Sequence, residues 1–141
     1  MMLAAVRMTV SLLKLRIGVA IAASALAGIA VASGPSPSWW QSLGLALAVL
    51  GASGAAGAFN HYYERDLDKL MKRTRLRPFA SGAFHASPWW LVGFSALLAA
   101  SLALAAASGG TLAAAFVFLG AFTYGIVYTV WLKRRSVWNI V

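Results

Sequence analysis

Four apolar runs, divided by short polar or Gly/Pro-rich breaks, organise the 141-residue chain. The runs at 17–33, 43–59, 89–107 and 112–132 each reach the roughly 17–25 residues that an α-helix needs to cross the hydrocarbon of a bilayer. Between the first two lies Gly34-Pro35-Ser36-Pro37-Ser38, where two prolines fix their own φ and turn the preceding residues away from helix. Trp39 and Trp40 follow at once, as aromatic anchors at a membrane–water interface do. Ser108-Gly109-Gly110 reads as a tight turn between the last two runs. The pattern predicts an all-α, polytopic membrane helix bundle of about four transmembrane helices. It forms one membrane domain over 1–141, with a cytoplasmic motif loop at 60–87. The first 16 residues resemble a signal peptide only in outline: the run that follows is long for one, and no clear small-residue cleavage pattern marks its end.

Composition sharpens this. The chain is 61% hydrophobic and 11% charged, with a mean hydropathy of +0.77. Much of the apolar count is alanine and glycine, and the second run carries Gly44, Gly51, Gly54 and Gly57. Such residues let neighbouring backbones approach closely in lipid. Cysteine is absent, which excludes disulfides, thiolate metal sites and a thiol nucleophile. The net charge of +9 does not point to nucleic acid, because the cations cluster at the ends of apolar runs. Arg7, Lys14 and Arg16 precede the first run, six cations lie between the second and third, and Lys133, Arg134 and Arg135 follow the fourth. An even number of crossings between clusters puts all of them on one side, which the positive-inside bias makes the cytoplasm, with the N-terminus there too.

All three acids, Glu64, Asp66 and Asp68, fall between Asn60 and Pro78, beside six cations, for a local charge of +3. If the second helix continues through them, Asn60, Glu64 and Asp68 recur one turn apart and share a face within about 80°, with Asp66 nearly opposite. Oxygen ligands so spaced suit a hard divalent cation, magnesium above all, which keeps phosphate and water ligands. The surplus of positive charge repels a bare ion but welcomes one carried by an anionic phosphate, whose oxygens Arg and Lys can hold. A mixed-charge loop can also do no more than orient its protein. Against that stands the acid face at a membrane boundary, where a misplaced charge costs roughly 2.5–3.5 kcal/mol, and the phosphate donors that follow in Arg73-Thr74-x-x-Arg77-Pro78. Phe59, Tyr62 and Tyr63 offer aromatic faces suited to a cation, although aromatics at helix ends are commonly interface anchors. His61 and His85 offer imidazoles, which bind iron but here are weak evidence of a site.

The stretch Asn60-x-x-x-Glu64-x-Asp66-x-Asp68 with Arg73-Thr74-Arg75-Leu76-Arg77-Pro78 and Gly82 resembles the first aspartate-rich motif of the UbiA superfamily of intramembrane prenyltransferases. Met71, Lys14-Leu15-Arg16-Ile17 and the segment from Tyr128 to Asn139 are similar to its haem O synthase branch. The resemblance covers essentially the whole chain. It implies about nine membrane helices around a central cavity and two acidic motifs that bind Mg2+ and a prenyl diphosphate. It also implies an integral protein of the bacterial inner membrane. Asn60, Glu64 and Asp68 match the first motif and so take the catalytic and metal-binding roles. Arg16, Arg73, Arg77, Lys133 and Tyr128 are the expected diphosphate contacts. The implied substrates are farnesyl diphosphate and haem B, with haem O as product. An aromatic acceptor such as 4-hydroxybenzoate is the alternative within the superfamily, and a non-catalytic scaffold or transporter subunit is the alternative outside it.

Two departures bear on this. Glu64 stands where much of the superfamily has Asp, the same ligand on a longer arm. No acid follows Asp68, so a second motif is missing. The chain is therefore expected to be a truncated N-terminal half, inactive alone, whose partners beyond the bilayer are the missing half or a haem A synthase-like protein.

Overall fold

The computed structural model describes residues 1–132, which contain helices and no strand. Helices α1 (Met2–Leu12) and α2 (Leu15–Val31) are bent by 49° across a short break. Helix α3 (Trp39–Tyr63) is followed by the single-turn-scale α4 (Arg65–Leu70) and the long α5 (Trp89–Phe122), which runs on as a π-helical segment, Thr123–Leu132. The expected contact Lys133 and the cluster it opens lie outside the described residues.

Helix α3 is the centre. It starts at a capping box: Gln41 N donates to Ser38 Oγ at 3.3 Å, and Ser38 N donates to Gln41 Oε1 at 2.9 Å, satisfying amides that the first turn leaves without helical partners. The stacked indoles of Trp39 and Trp40 stay exposed beside it. From Ala52 onward α3 is buried on nearly every side, at Ala52, Ala55, Ala56, Ala58, Asn60 and His61 among others. Its small residues allow this. A Cβ at Gly54 would meet Leu13 at 3.5 Å and one at Gly57 would meet the Lys14 stem at 3.2 Å. Across the bundle, a Cβ on Gly44 or Gly51 would run into Ser108 or Ser101 of α5.

These contacts also show that α5 doubles back. Ser101 lies at Gly51 and Ser108 at Gly44, antiparallel to α3, yet Gly125 is again at Ala56 and Phe59. The reversal occurs at Gly110, whose φ of 84° and ψ of 177° leave helical geometry, a conformation that the absence of a Cβ permits. The all-α membrane bundle expected from the sequence is what the structure shows, and the fold-back at Gly110 divides Trp89–Leu132 into the two legs expected as separate runs. By length and composition there are two spanning elements, Trp39–Tyr63 and Trp89–Leu132, and a third if the bent pair is one span. The two apolar runs expected at 89–107 and 112–132 are legs of one helical element. The turn expected at 108–110 narrows to Gly110 alone, because Ser108 and Gly109 remain helical.

The loop after α4 is fastened down. Phe79 packs edge-on against Tyr62 at 5.4 Å, Phe84 at 6.0 Å and Trp90 at 5.2 Å, and joins Leu12, Ala58 and Phe94 in the core. Trp90 Nε1 donates to His85 O at 3.0 Å. Gly51→Ala tests the close approach of helices: overpacking against Ser101 is expected to lower stability by about 1–3 kcal/mol despite a helix-propensity gain of about 1 kcal/mol. Adding Ser101→Ala should restore it, as read from thermal melts in detergent.

Candidate active site

The acid-bearing stretch is not one continuous helix. Helix α3 ends at Tyr63, Glu64 sits between helices with φ −92° and ψ 5°, and α4 begins at Arg65. The one-turn spacing nevertheless survives the junction, since Glu64 N donates to Asn60 O at 3.0 Å and Asp68 N to Glu64 O at 2.8 Å. Asn60, Glu64 and Asp68 are 3%, 2% and 1% exposed, whereas the Asp66 side chain is 77% exposed and pairs with Lys69. The polar face is thus turned inward across a break that the spacing did not reveal.

Two hydrogen-bonded groups hold this face at its ends. At one, Lys14 Nζ donates to Asn60 Oδ1 at 3.0 Å and to the Tyr124 hydroxyl at 2.6 Å. Asn60 Nδ2 donates to Thr129 Oγ1 at 3.2 Å, and that hydroxyl donates to Tyr124 O at 2.9 Å. At the other, Arg77 Nη1 is shared between the two Asp68 carboxylate oxygens, each at 3.0 Å, while Thr74 Oγ1 donates to Asp68 O at 3.0 Å. Glu64 lies one turn from each. Of the expected phosphate contacts, Arg77 is therefore in the site. Tyr128 reaches it through a stack on Tyr124 with centroids 5.9 Å apart. Arg16 and Arg73 are exposed, and among the described residues no hydrogen bond draws them to the buried acids. Sequence reasoning missed Lys14, Tyr124 and Thr129 as site residues. The available signal was Lys14 itself, a single charge within Leu12-Leu13-Lys14-Leu15, where an ionisable group is costly unless it is used.

Beside the first group opens an apolar cleft of about 780 Å³ between α2, α3 and the second leg of α5, lined by Ile21, Ile29, Val49, Phe116, Val117 and, at its polar end, Tyr124. Among the described residues no group of three or more His, Cys, Asp or Glu side chains is placed to hold a metal. Two carboxylates and an amide make a poor cage for a bare ion. Oxygen donors of this kind suit an ion that brings phosphate and water ligands with it.

The UbiA prenyltransferase family pattern matches residues 21–141. The chain belongs to this family. It is 55% identical over 140 residues to protoheme IX farnesyltransferase 2 of Paramagnetospirillum magneticum, an alignment covering 99% of this chain and 49% of that protein. It is 39% identical to the protoheme IX farnesyltransferase of Hyphomonas neptunium, over 94% of this chain and 42% of the relative. To that of Pyrobaculum neutrophilum it is 42% identical, over 92% and 46%. The chain thus spans about half the length of the relatives it matches. No solved structure gives a significant match. Family membership and apolar helices together make the chain an integral membrane protein.

The shared bond between Arg77 and Asp68 sets an asymmetry between their variants. Arg77→Met leaves a carboxylate that is 1% exposed without its guanidinium and is expected to cost about 3–5 kcal/mol. Asp68→Asn removes the charge itself and should cost less, about 1–3 kcal/mol. Denaturation of both variants in detergent reads the difference.

Proposed function

We propose that the chain supplies the first diphosphate-binding motif of a magnesium-dependent prenyltransferase that moves a farnesyl group from farnesyl diphosphate to haem B, giving haem O. The observation that carries this reading is the row of Asn60, Glu64 and Asp68, all buried and one turn apart, near the Tyr124 end of a largely apolar cleft. An isoprenoid diphosphate has the matching form, an anionic head on an apolar tail. The relatives are named protoheme IX farnesyltransferase, which supports a farnesyl donor and a haem acceptor.

The reaction makes one carbon–carbon bond and one carbon–oxygen bond, at the expense of the vinyl π bond, the allylic carbon–oxygen bond and an O–H bond of water. Vinyl π electrons of the haem attack the allylic carbon, the diphosphate leaves with the electrons of its C–O bond, and water adds to the resulting cation with loss of a proton. UbiA prenyltransferases generally use divalent metal ions. Magnesium, held by Glu64, Asp68 and Asn60, would supply Lewis-acid stabilisation of the leaving group. Arg77 and Tyr128 lie nearest the remaining phosphate oxygens in this reading, with Arg16 and Arg73 contributing from the cytoplasmic rim; Lys133, outside the described residues, stays a contact proposed from its place in the sequence alone. Charge developing on the leaving group is thereby met by donors already fixed in place, and the cleft keeps water from the allylic cation. The membrane is the bacterial inner membrane with the N-terminus inside: Lys14, Asn60 and Tyr124 meet at one end of the bundle, which supports a common side for the basic clusters.

The second carboxylate set comes from outside these 141 residues in this proposal. Purified chain in lipid nanodiscs should bind farnesyl diphosphate in a magnesium-dependent way, measured by calorimetry, and should form no prenylated haem. Glu64→Gln and Asp68→Asn should each weaken that binding about tenfold or more. Unchanged binding in Asp68→Asn would leave the non-catalytic scaffold as the reading, and prenyl transfer by the chain alone would overturn the half-site assignment.

A further inference from the structure

The segment that carries Asp68 and Arg77 has an outer face that the acid site does not use. Helix α3 ends at Tyr63 and α5 begins at Trp89, so residues 64–88 join two spans at their basic end. This segment does not rise away from the bundle. Phe79 sits against the Tyr62 ring at 5.4 Å and the Trp90 ring at 5.2 Å, and it shares a core with Ala58 and Phe94, each more than a helical turn inside its span. The segment is therefore pinned level with the membrane boundary. Its inner face is occupied by Asp68, Thr74 and Arg77. On its outer face Leu70 and Leu76 are 82% and 81% exposed, set among Lys69, Lys72, Arg73 and Arg75, which are exposed too. Four cations there stand against one acid, Asp66.

The positive-inside bias accounts for the cations but leaves the leucines unexplained, because aliphatic side chains held in water are unfavourable. An anionic leaflet accounts for both. Clusters of about four to eight Lys or Arg just outside a span attract acidic headgroups, while apolar side chains among them reach the acyl boundary. We propose that residues 66–76 form a docking surface for anionic phospholipid, with Leu70 and Leu76 entering the acyl boundary and Lys69, Lys72 and Arg75 on headgroup phosphates. Each leucine has a cation beside it in the chain, Lys69 before Leu70 and Arg75 before Leu76, so one depth of insertion serves both kinds of contact. The Arg77 bond to Asp68 and the packing of Phe79 fix the inner side. The outer surface thus meets lipid already ordered, and less conformational freedom is lost on contact. Lipid on that face in turn backs the segment that holds Arg77 against Asp68.

The chain has no cysteine, so Leu70→Cys and Leu76→Cys each take a single nitroxide on the full chain in nanodiscs of phosphatidylcholine, with or without phosphatidylglycerol. In the mixed bilayer both labels should collide more with dissolved oxygen than with a water-soluble nickel chelate. The balance should move toward the chelate in pure phosphatidylcholine, and also in about 1 M salt, where screening shortens the attraction. Separately, spin-labelled phosphatidylglycerol should be immobilised in preference to spin-labelled phosphatidylcholine, and Lys69→Gln/Lys72→Gln/Arg75→Gln should lower that preference about threefold or more. The three side chains are exposed, so the variant should melt in detergent with the unsubstituted chain, which separates lost lipid contact from lost fold. Labels open to the chelate in both bilayers would overturn the proposal. Labels closed to both reagents would show that protein, a second copy or a partner chain, covers the face, and would overturn it as well. So would a triple variant with undiminished preference.

Discussion

Close approach of backbones to α3 is the constraint on which the rest depends. Lipid offers no hydrophobic drive to bring helices together, so association relies on packing and on internally satisfied polar groups. Glycine and alanine along α3 let α2 press in from one side and both legs of α5 from others. With the legs so near, residues distant in sequence, Lys14, Asn60, Tyr124 and Thr129, come within hydrogen-bond reach. A bulkier α3 would separate them and leave each polar group to find its partner alone.

The same closeness explains how a chain so poor in acid can bury what it has. Asp68 enters the interior with Arg77 on its carboxylate and Thr74 on its carbonyl, and both partners are carried by a loop that Phe79 and its ring neighbours hold against the bundle. Burying an acid in this way is tolerable only while its counter-charge cannot drift. The aromatic cluster is therefore as much a part of the acidic site as the acids are.

Apolar run length made the helices legible, and the predicted spans lie within a few residues of α2, α3 and the two legs of α5. The inward face of Asn60, Glu64 and Asp68 was legible too, because one-turn spacing reports a face whether or not the helix is continuous. The interruption at Glu64 was not, since no proline or glycine marks it and the i→i−4 bonds persist through it. Nor was the left-handed turn at Lys14, which occupies a position in an apolar string that local preference would leave helical. Both depend on tertiary neighbours. Likewise Arg73 shares a composition with Arg77, and only the path of the fastened loop separates the half-buried cation from the exposed one.

The π-helical segment Thr123–Leu132 has a consequence for how this chain can vary in length. Its wider turns bring Thr129 Oγ1 onto the carbonyl five residues back, at Tyr124, where α-helical winding would match positions four apart. Removing one residue between them would let the segment relax to ordinary winding and swing everything beyond it by about 100°, carrying the threonine off Asn60. Insertions and deletions can accumulate in the Gly/Pro link after α2 without disturbing the site, but the stretch from the Gly110 reversal to Thr129 has its residue count locked by the bonds at its end.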